Sequence, residues 1–171
     1  KVASMVVFID GEADKTSYRR FKIKTVEGAD DFASLKEVLL RRLSKLNTDE
    51  EERFPKPDLI VIDGGKGQLS SVKQVFDELN VKDIDLISIA KQDEEIFTLA
   101  YEESVKIPKS DYSLRMVQRI RDEAHRFAVT YFRSVHTKNA LKSVLDEIEG
   151  IGKRKSVALM EKFSNVGNIM N

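Results

Sequence analysis

Asp63 stands at the end of an unbroken apolar run, Leu59-Ile60-Val61-Ile62, and is followed by Gly64, Gly65, Lys66 and Gly67. A lysine among glycines after a strand suggests a phosphate loop. The Walker pattern, however, requires a hydroxyl residue directly after its lysine, and here Gly67 and Gln68 follow Lys66. The dinucleotide pattern G-x-G-x-x-G is absent too. What is left is a carboxylate at the carboxyl end of a buried strand, where open α/β sheets build their sites. A charge there is costly unless it is paired or holds a cation, and a hard ion such as Mg2+ suits it. The glycines would let backbone and ligand approach Asp63 closely. The competing reading is that Asp63 caps the next helix and the glycines only make its turn.

A second group lies in "RMVQRIRDEAHRFAVTYFR", residues 115–133. Leu114, Val117, Ile120, Ala124, Phe127, Ala128 and Tyr131 form an apolar stripe at helical spacing. Gln118, Arg121, Asp122 and His125 form an adjacent stripe, so His125 projects one turn beyond Arg121 and Asp122. A histidine so placed can ligate a metal or move a proton near neutral pH; a purely structural histidine is the alternative. His136 has no such neighbours and reads as surface.

The third group is "LDEIEGIGKRKSVALMEKF", residues 145–163. Gly150, Ile151 and Gly152 make a short turn that leads into Lys153, Arg154 and Lys155 and then a helix. Backbone N–H groups at such a helix N-terminus bind anions, and contacts of this kind position a duplex without reading its sequence. The pattern is that of a helix-hairpin-helix element; an ordinary turn between helices with a basic surface is the alternative. Lys91, at the end of the apolar strand "ISIAK", is expected at the same sheet edge as Asp63, as its ion-pair partner or as a phosphate contact.

These groups need a scaffold, and the chain of 171 residues is long enough for a substantial core. No apolar run approaches the roughly 18 residues of a membrane span, and no signal peptide opens the chain. The absence of cysteine excludes a disulfide scaffold and cysteine zinc sites. A soluble, cytoplasmic protein is expected. Because Lys1 is not a start methionine, the chain reads as a fragment. Its net charge of zero conceals an asymmetry. Residues 1–105 carry 16 Lys/Arg against 22 Asp/Glu, a net of −6, and residues 106–171 carry 13 against 7, a net of +6. The basic final third suggests a polyanionic partner, with solvated helix faces as the bland alternative.

The elements follow from periodicity. Strands are expected over 4–11 and, with Phe21 and Ile23 on one face, over 17–25, the two antiparallel. A helix is expected over 30–46 on Phe32, Leu35, Val38, Leu39, Leu43 and Leu46, capped by Asp30 or Asp31. Residues 59–63 read as a strand buried on both faces. A helix over 68–79, a strand over 85–91, a small hairpin over 95–107 and a long helix from Ser110 or Asp111 to about Val135 complete the series. The order predicts an α/β layer architecture, a mixed sheet flanked by helices. Short helices around the glycine turn are expected after residue 138.

With these residues laid out, the chain resembles the C-terminal half of the UvrC family, the incision subunits of bacterial nucleotide excision repair. The resemblance rests on "VASMVVF", "YRRFKIKTVEGADDFASL", "PDLIVIDGGKGQL", "ISIAK", "RIRDEAHRFAV" and "IEGIGKRK", which occur in family order and span almost the whole chain. It implies an RNase H-like endonuclease domain over residues 1–137 and the first part of a tandem helix-hairpin-helix domain over 138–171. It implies metal-dependent (Mg2+ or Mn2+) incision 5′ to a lesion in double-stranded damaged DNA. It also implies partnership with UvrB, with UvrA acting upstream, through a segment outside this chain. The family's metal site uses two aspartates and a histidine. Asp63 matches the second aspartate and His125 the histidine. The first belongs to a Phe-Asp-x-Ser-His element expected upstream of Lys1, a role not carried over to Asp10. Asp31 matches a further acidic position. Lys66, Lys91 and Arg121 would steady the phosphate, Tyr18, Arg19 and Arg20 would line the DNA path, and Gly150 to Arg154 would form the hairpin that grips the backbone.

Two other functions compete with the nuclease. One is a non-catalytic DNA-binding module in which the α/β core is only scaffold. The other is a nucleotide-binding protein, against which the missing phosphate-loop patterns count.

Overall fold

The computed structural model describes residues 2–26, 28–46, 48–50, 53–90, 94–146, 148 and 152–162. Residues 1–125 and 126–171 form two compact units, and the boundary falls within one long helix.

The first unit begins with strand β1 (Val2–Met5), which pairs antiparallel with β4 (Arg19–Lys22) in the register Ala3↔Phe21 and Met5↔Arg19. Between them, β2 (Phe8–Ile9) and β3 (Glu12–Ala13) form a tight hairpin. Its two loop residues, Asp10 and Gly11, both have positive φ (50° and 82°), as the favoured two-residue turn requires. The strand expected over 4–11 is therefore two strands with a break. Asp10 serves the turn, for which aspartate followed by glycine is a preferred pair.

Helix α1 (Asp31–Leu43) is capped by Asp30, whose carboxylate accepts from the Ala33 N–H at 2.9 Å. Val38 packs on Phe21 and Ile23, which clamps the β1–β4 ribbon to the helix. On its other side Leu39 and Leu43 enter the main core. Glu37 closes this junction: its buried carboxylate accepts the backbone N–H groups of Lys24 and Thr25, the Thr25 hydroxyl and an Arg41 N–H. Those hydrogen bonds, Thr25's N–H first, lower its pKa from 4.5 to about 2.

The main core lies between α1, α2 (Lys66–Glu78) and a three-stranded sheet in the order β5–β6–β7. Leu69, Val72, Val75 and Phe76 recur at the three-to-four spacing of one helix face and cover Ile62, Ile84 and Leu86. Lys36 of α1 donates to the Gln74 side chain of α2. Strand β5 (Leu59–Asp63) is parallel to β6 (Asp85–Ala90), with α2 as the connection that a parallel pair needs. Strand β7 (Glu95–Thr98) returns antiparallel to β6, and Ile96 bridges to Val105.

Two expectations from the sequence fail here. In β5 only Ile62 is buried and Leu59 is exposed, because β5 is the edge strand of its sheet among the described residues. Phe32, expected in the core stripe of α1, is 46% exposed; it sits in the first turn of the helix, with its ring beside Gly67.

Helix α3 (Tyr112–Asp146) starts where Asp111 accepts the Ser113 N–H at 2.8 Å, and Leu114 and Val117 fasten it by burial. It runs well past the expected end near Val135, taking in residues assigned from the sequence to a separate short helix. That stretch contains neither proline nor glycine to stop it. Helix α4 (Lys153–Lys162) follows in the second unit. No helix among the described residues is long and apolar enough to cross a membrane.

Candidate active site

Asp63 ends β5 in register with Ile89 of β6, so it emerges at the carboxyl edge of the parallel pair. Its carboxylate is exposed and makes no hydrogen bond or ion pair with any described residue. The loop behind it, by contrast, is held at each step. The Gly64 N–H donates to the Ile89 carbonyl at 3.0 Å. The fully buried Ser88 donates its hydroxyl to the Gly65 carbonyl at 3.3 Å. The Gly65 N–H donates to Gln68 Oε1 at 3.1 Å, closing the N-terminus of α2 from within.

Two of these glycines lie close to neighbouring side chains. A Cβ on Gly64 would lie 2.8 Å from Gln68 Cγ, and one on Gly67 would lie 3.0 Å from the Phe32 ring. Lys66 opens α2 and sends its Nζ to the Glu102 carbonyl at 2.6 Å, so its charge is tied to the loop after β7.

Helix α3 brings the second set of residues. Arg121 is nearly buried; its Nε and one terminal nitrogen donate to the Asp122 carboxylate at 3.0 and 2.9 Å. Its other terminal nitrogen lies 4.0 Å from Glu94 Oε1 and has no hydrogen-bond acceptor. Glu94 directly precedes β7, whose Glu95 is in register with Ala90, the residue after Ile89. The edge that carries Asp63 therefore also carries the anchor of α3. The helix is tied on another side as well, where the Tyr18 hydroxyl donates to Glu123 Oε1 at 2.9 Å and Arg119 lies 3.8 Å from Glu12. His125, one turn beyond Arg121, is exposed and, like Asp63, makes no hydrogen bond or ion pair with a described residue.

Other residues singled out from the sequence have separate fates. Arg19 donates to the carbonyls of Thr16 and Tyr18 and lies over the Phe54 ring. Arg20 is exposed on the outer face of β4. Asp31 is exposed in the first turn of α1, while Asp30 does the capping. Lys91, Gly150 and Ile151 lie outside the described residues. Gly152 and Arg154 are exposed, and nothing lies within 4 Å of a Cβ built on Gly152. Among the described residues no three acids or histidines are gathered in a way that could hold a metal. Sequence reasoning missed Ser88, Gln68 and Glu94. Ser88 alone carried a signal, as a polar residue in an otherwise apolar strand.

Asp63 and His125 suit a divalent cation as donors: both are exposed, and both are uncommitted.

An α/β domain with an open carboxylate at the carboxyl edge of its sheet has the form of the RNase H-like class. Residues 1–129 match the family model for the UvrC RNase H endonuclease domain. The chain belongs to the UvrC family. It is 47% identical over 165 residues to the UvrABC system protein C of Chlorobium phaeobacteroides, covering 96% of this chain and 26% of that protein. It is 45% identical over 170 residues to that of Dehalococcoides mccartyi, covering 98% and 28%. With the protein of Moorella thermoacetica it shares 40% over 169 residues, covering 99% and 28%. The chain thus spans little more than a quarter of the length of these relatives.

Proposed function

We propose that this chain is the nuclease part of a nucleotide excision repair incision subunit, hydrolysing a phosphodiester bond 5′ to the lesion in damaged duplex DNA. The observation that supports it most directly is the pair of uncommitted donors, Asp63 and His125, in a unit that matches an RNase H endonuclease family. Asp63 would offer a carboxylate oxygen and His125 a neutral imidazole nitrogen to a divalent ion, Mg2+ or Mn2+. When bound, the ion supplies the activation of water and the stabilisation of the leaving oxygen that hydrolysis of this class needs.

The remaining work falls to the chain. Ser88, Gln68 and the Gly64 N–H fix the loop, and so fix the direction in which Asp63 leaves its strand. Arg121, held by Asp122 and facing Glu94, fixes the turn of α3 that carries His125. The charges of Lys66, Lys91 and Arg121 raise the positive potential around the scissile phosphate. Tyr18, Arg19 and Arg20 line the DNA path. Residues 138–171 supply a helix-hairpin-helix element, with Lys153 and Arg154 on the backbone phosphates. The protein acts in the cytoplasm on DNA delivered by UvrA and UvrB, the partners that the name of the UvrABC system suggests.

The test is incision of a lesion-bearing duplex by the full-length protein with both partners and Mg2+ or Mn2+, with the 5′ cut scored alone. Asp63→Ala and His125→Ala should each abolish that cut while the partner complex still assembles. An unchanged rate in either variant would falsify the assignment.

A further inference from the structure

Beside the Asp63 loop, two aromatic rings are left in solvent. Phe32, in the first turn of α1, is 46% exposed and belongs to neither hydrophobic cluster of the described residues. The edge of its ring rests against Gly67, where a built Cβ would lie 3.0 Å from Cε1 and 3.3 Å from Cζ. Gly67 is the second residue of α2 and follows Lys66. Lys66 in turn ties a second loop to this turn, through the bond from its Nζ to the Glu102 carbonyl at 2.6 Å. Tyr101, the residue before Glu102, is 67% exposed. Its loop is fixed at the base. Ile96 and Val105 exchange both backbone hydrogen bonds, at 3.2 and 2.7 Å, and the Ser104 hydroxyl donates to Glu95 Oε1 at 3.0 Å.

Folding by itself favours neither choice at this contact. A phenyl ring left half in water forgoes much of the gain from burying it. Glycine inside a helix is less favourable than alanine, and an alanine methyl at position 67 would crowd the ring. Two local concessions that meet at one point, on the loop that carries Asp63, mark a functional contact. The occupant follows from that loop. A phosphodiester held at Asp63 brings the bases of its own strand to the neighbouring turn, and every base has a π-face on which an aromatic ring can stack. In an intact duplex those faces are covered by the adjacent bases, so only an unpaired, unstacked base offers one. We propose that Phe32 is a stacking residue of this nuclease, seating an unpaired base next to the scissile phosphate, with Tyr101 as a second stacking surface. The inference rests on the nuclease reading above, and adds to it that the cut strand is opened where it enters the site.

The test couples the side chain to the base. The 5′ cut is measured on a lesion-bearing duplex with the full-length protein and both partners, and each nucleotide flanking the cut is replaced in turn by an abasic one. Phe32→Ala should lower kcat/KM about tenfold or more, the scale of one base–aromatic stack. At one flanking position the abasic substrate should slow the wild type by a similar factor and slow Phe32→Ala no further. Phe32→Tyr should keep both the wild-type rate and the sensitivity to that base. Phe32→Leu retains an apolar contact on Gly67 and should nevertheless behave as Phe32→Ala. The same coupling to a flanking base is expected for Tyr101→Ala. Equal losses on intact and abasic DNA at every position overturn the proposal in Phe32→Ala, and its second surface in Tyr101→Ala. Full activity in Phe32→Leu overturns it too, since packing alone would then account for the ring. So does a loss that follows failed assembly with the partners, because the ring would then contact protein. Asp63→Ala keeps the two readings apart. A 5′ cut that survives Asp63→Ala sinks the nuclease assignment, whereas a cut lost in Asp63→Ala with no coupling between Phe32 and any base sinks the stacking alone.

Discussion

Arg121 of α3 faces Glu94 at 4.0 Å across the carboxyl edge of the sheet, and Glu94 holds that place with a left-handed backbone (φ 54°). A side chain in that conformation costs roughly 1–3 kcal/mol, so the fold accepts strain at the point where the His125 helix meets the Asp63 edge. Glu94→Gly should relieve the strain and, because glycine in turn loses about 0.5–1 kcal/mol of chain entropy, leave stability nearly unchanged or slightly raised. Incision should nevertheless fall by about 10- to 100-fold, the usual effect of removing a partner that orients a ligand. Denaturant unfolding and the cutting rate, measured on one preparation, check both halves. A fall in stability matching the fall in rate would show that Glu94 matters to folding alone.

Glu37 predicts the acid limb of stability. Its pKa is about 2 in the folded chain against an ordinary 4.5. A depressed carboxylate pKa contributes stability that is fully present above the unfolded value and is lost as pH falls through the folded one. Stability should therefore decline between about pH 4.5 and about 2, in proportion to the protonation of Glu37. In Glu37→Gln that decline should be shallower and the midpoint at neutral pH lower. Asp14 and Asp111, also lowered by side-chain hydrogen bonds, act in the same direction. Unfolding temperature against pH for the two chains measures it.

Gly64 and Gly67 should respond in opposite ways to alanine. At Gly64 the new methyl meets Gln68 Cγ at 2.8 Å and Cδ at 2.9 Å, so Gln68 must leave and the Gly65 N–H loses its acceptor. The expected cost is about 1 kcal/mol, that of a lost cap, together with slower incision as the Asp63 loop loosens. At Gly67 the methyl meets only the edge of the exposed Phe32 ring, which can rotate away. Replacing glycine near the start of α2 then yields up to about 1 kcal/mol from helix propensity. Equilibrium unfolding of the two variants decides the matter.

In the second unit, Arg154→Gln should weaken binding to unrelated duplexes equally and reduce the slope of log affinity against log salt by about 0.9, the share of one phosphate contact. Affinities measured on two sequences at several salt concentrations test this. A sequence-dependent loss would point to base contacts instead.

Much of the scaffold was legible from the chain alone. The apolar spacing in α1 and α2 reflects a local rule, one face in every turn, and Asp30 announces its helix through a cap that spans three residues. Asp63 was legible for the same reason, as a charge that abruptly ends an apolar run. The limits of α3 were harder to read. Residues 138–146 read as a separate short helix, yet with no breaker present the helix continues. Phe32 misled because helical spacing says which face a residue occupies and is silent on what packs against it at the helix end.

The sequence by itself determined the local facts: which segments coil or extend, where they are capped, and that a carboxylate and a histidine stand at ends and faces suited to chemistry. These depend on neighbours a few positions apart. Only the tertiary structure decided which charges are spent and which remain open. Lys66 is spent on the Glu102 carbonyl and Tyr18 on Glu123, 105 positions away, while Arg121 is engaged by Asp122 and Glu94. Asp63 and His125 make no hydrogen bond or ion pair among the described residues, and Arg19 and Arg42 each lie 5.4 Å from the centroid of the Phe54 ring. Electrostatic pairing acts through space, and its outcome is set by distances that arise only when strands and helices from remote parts of the chain are packed together.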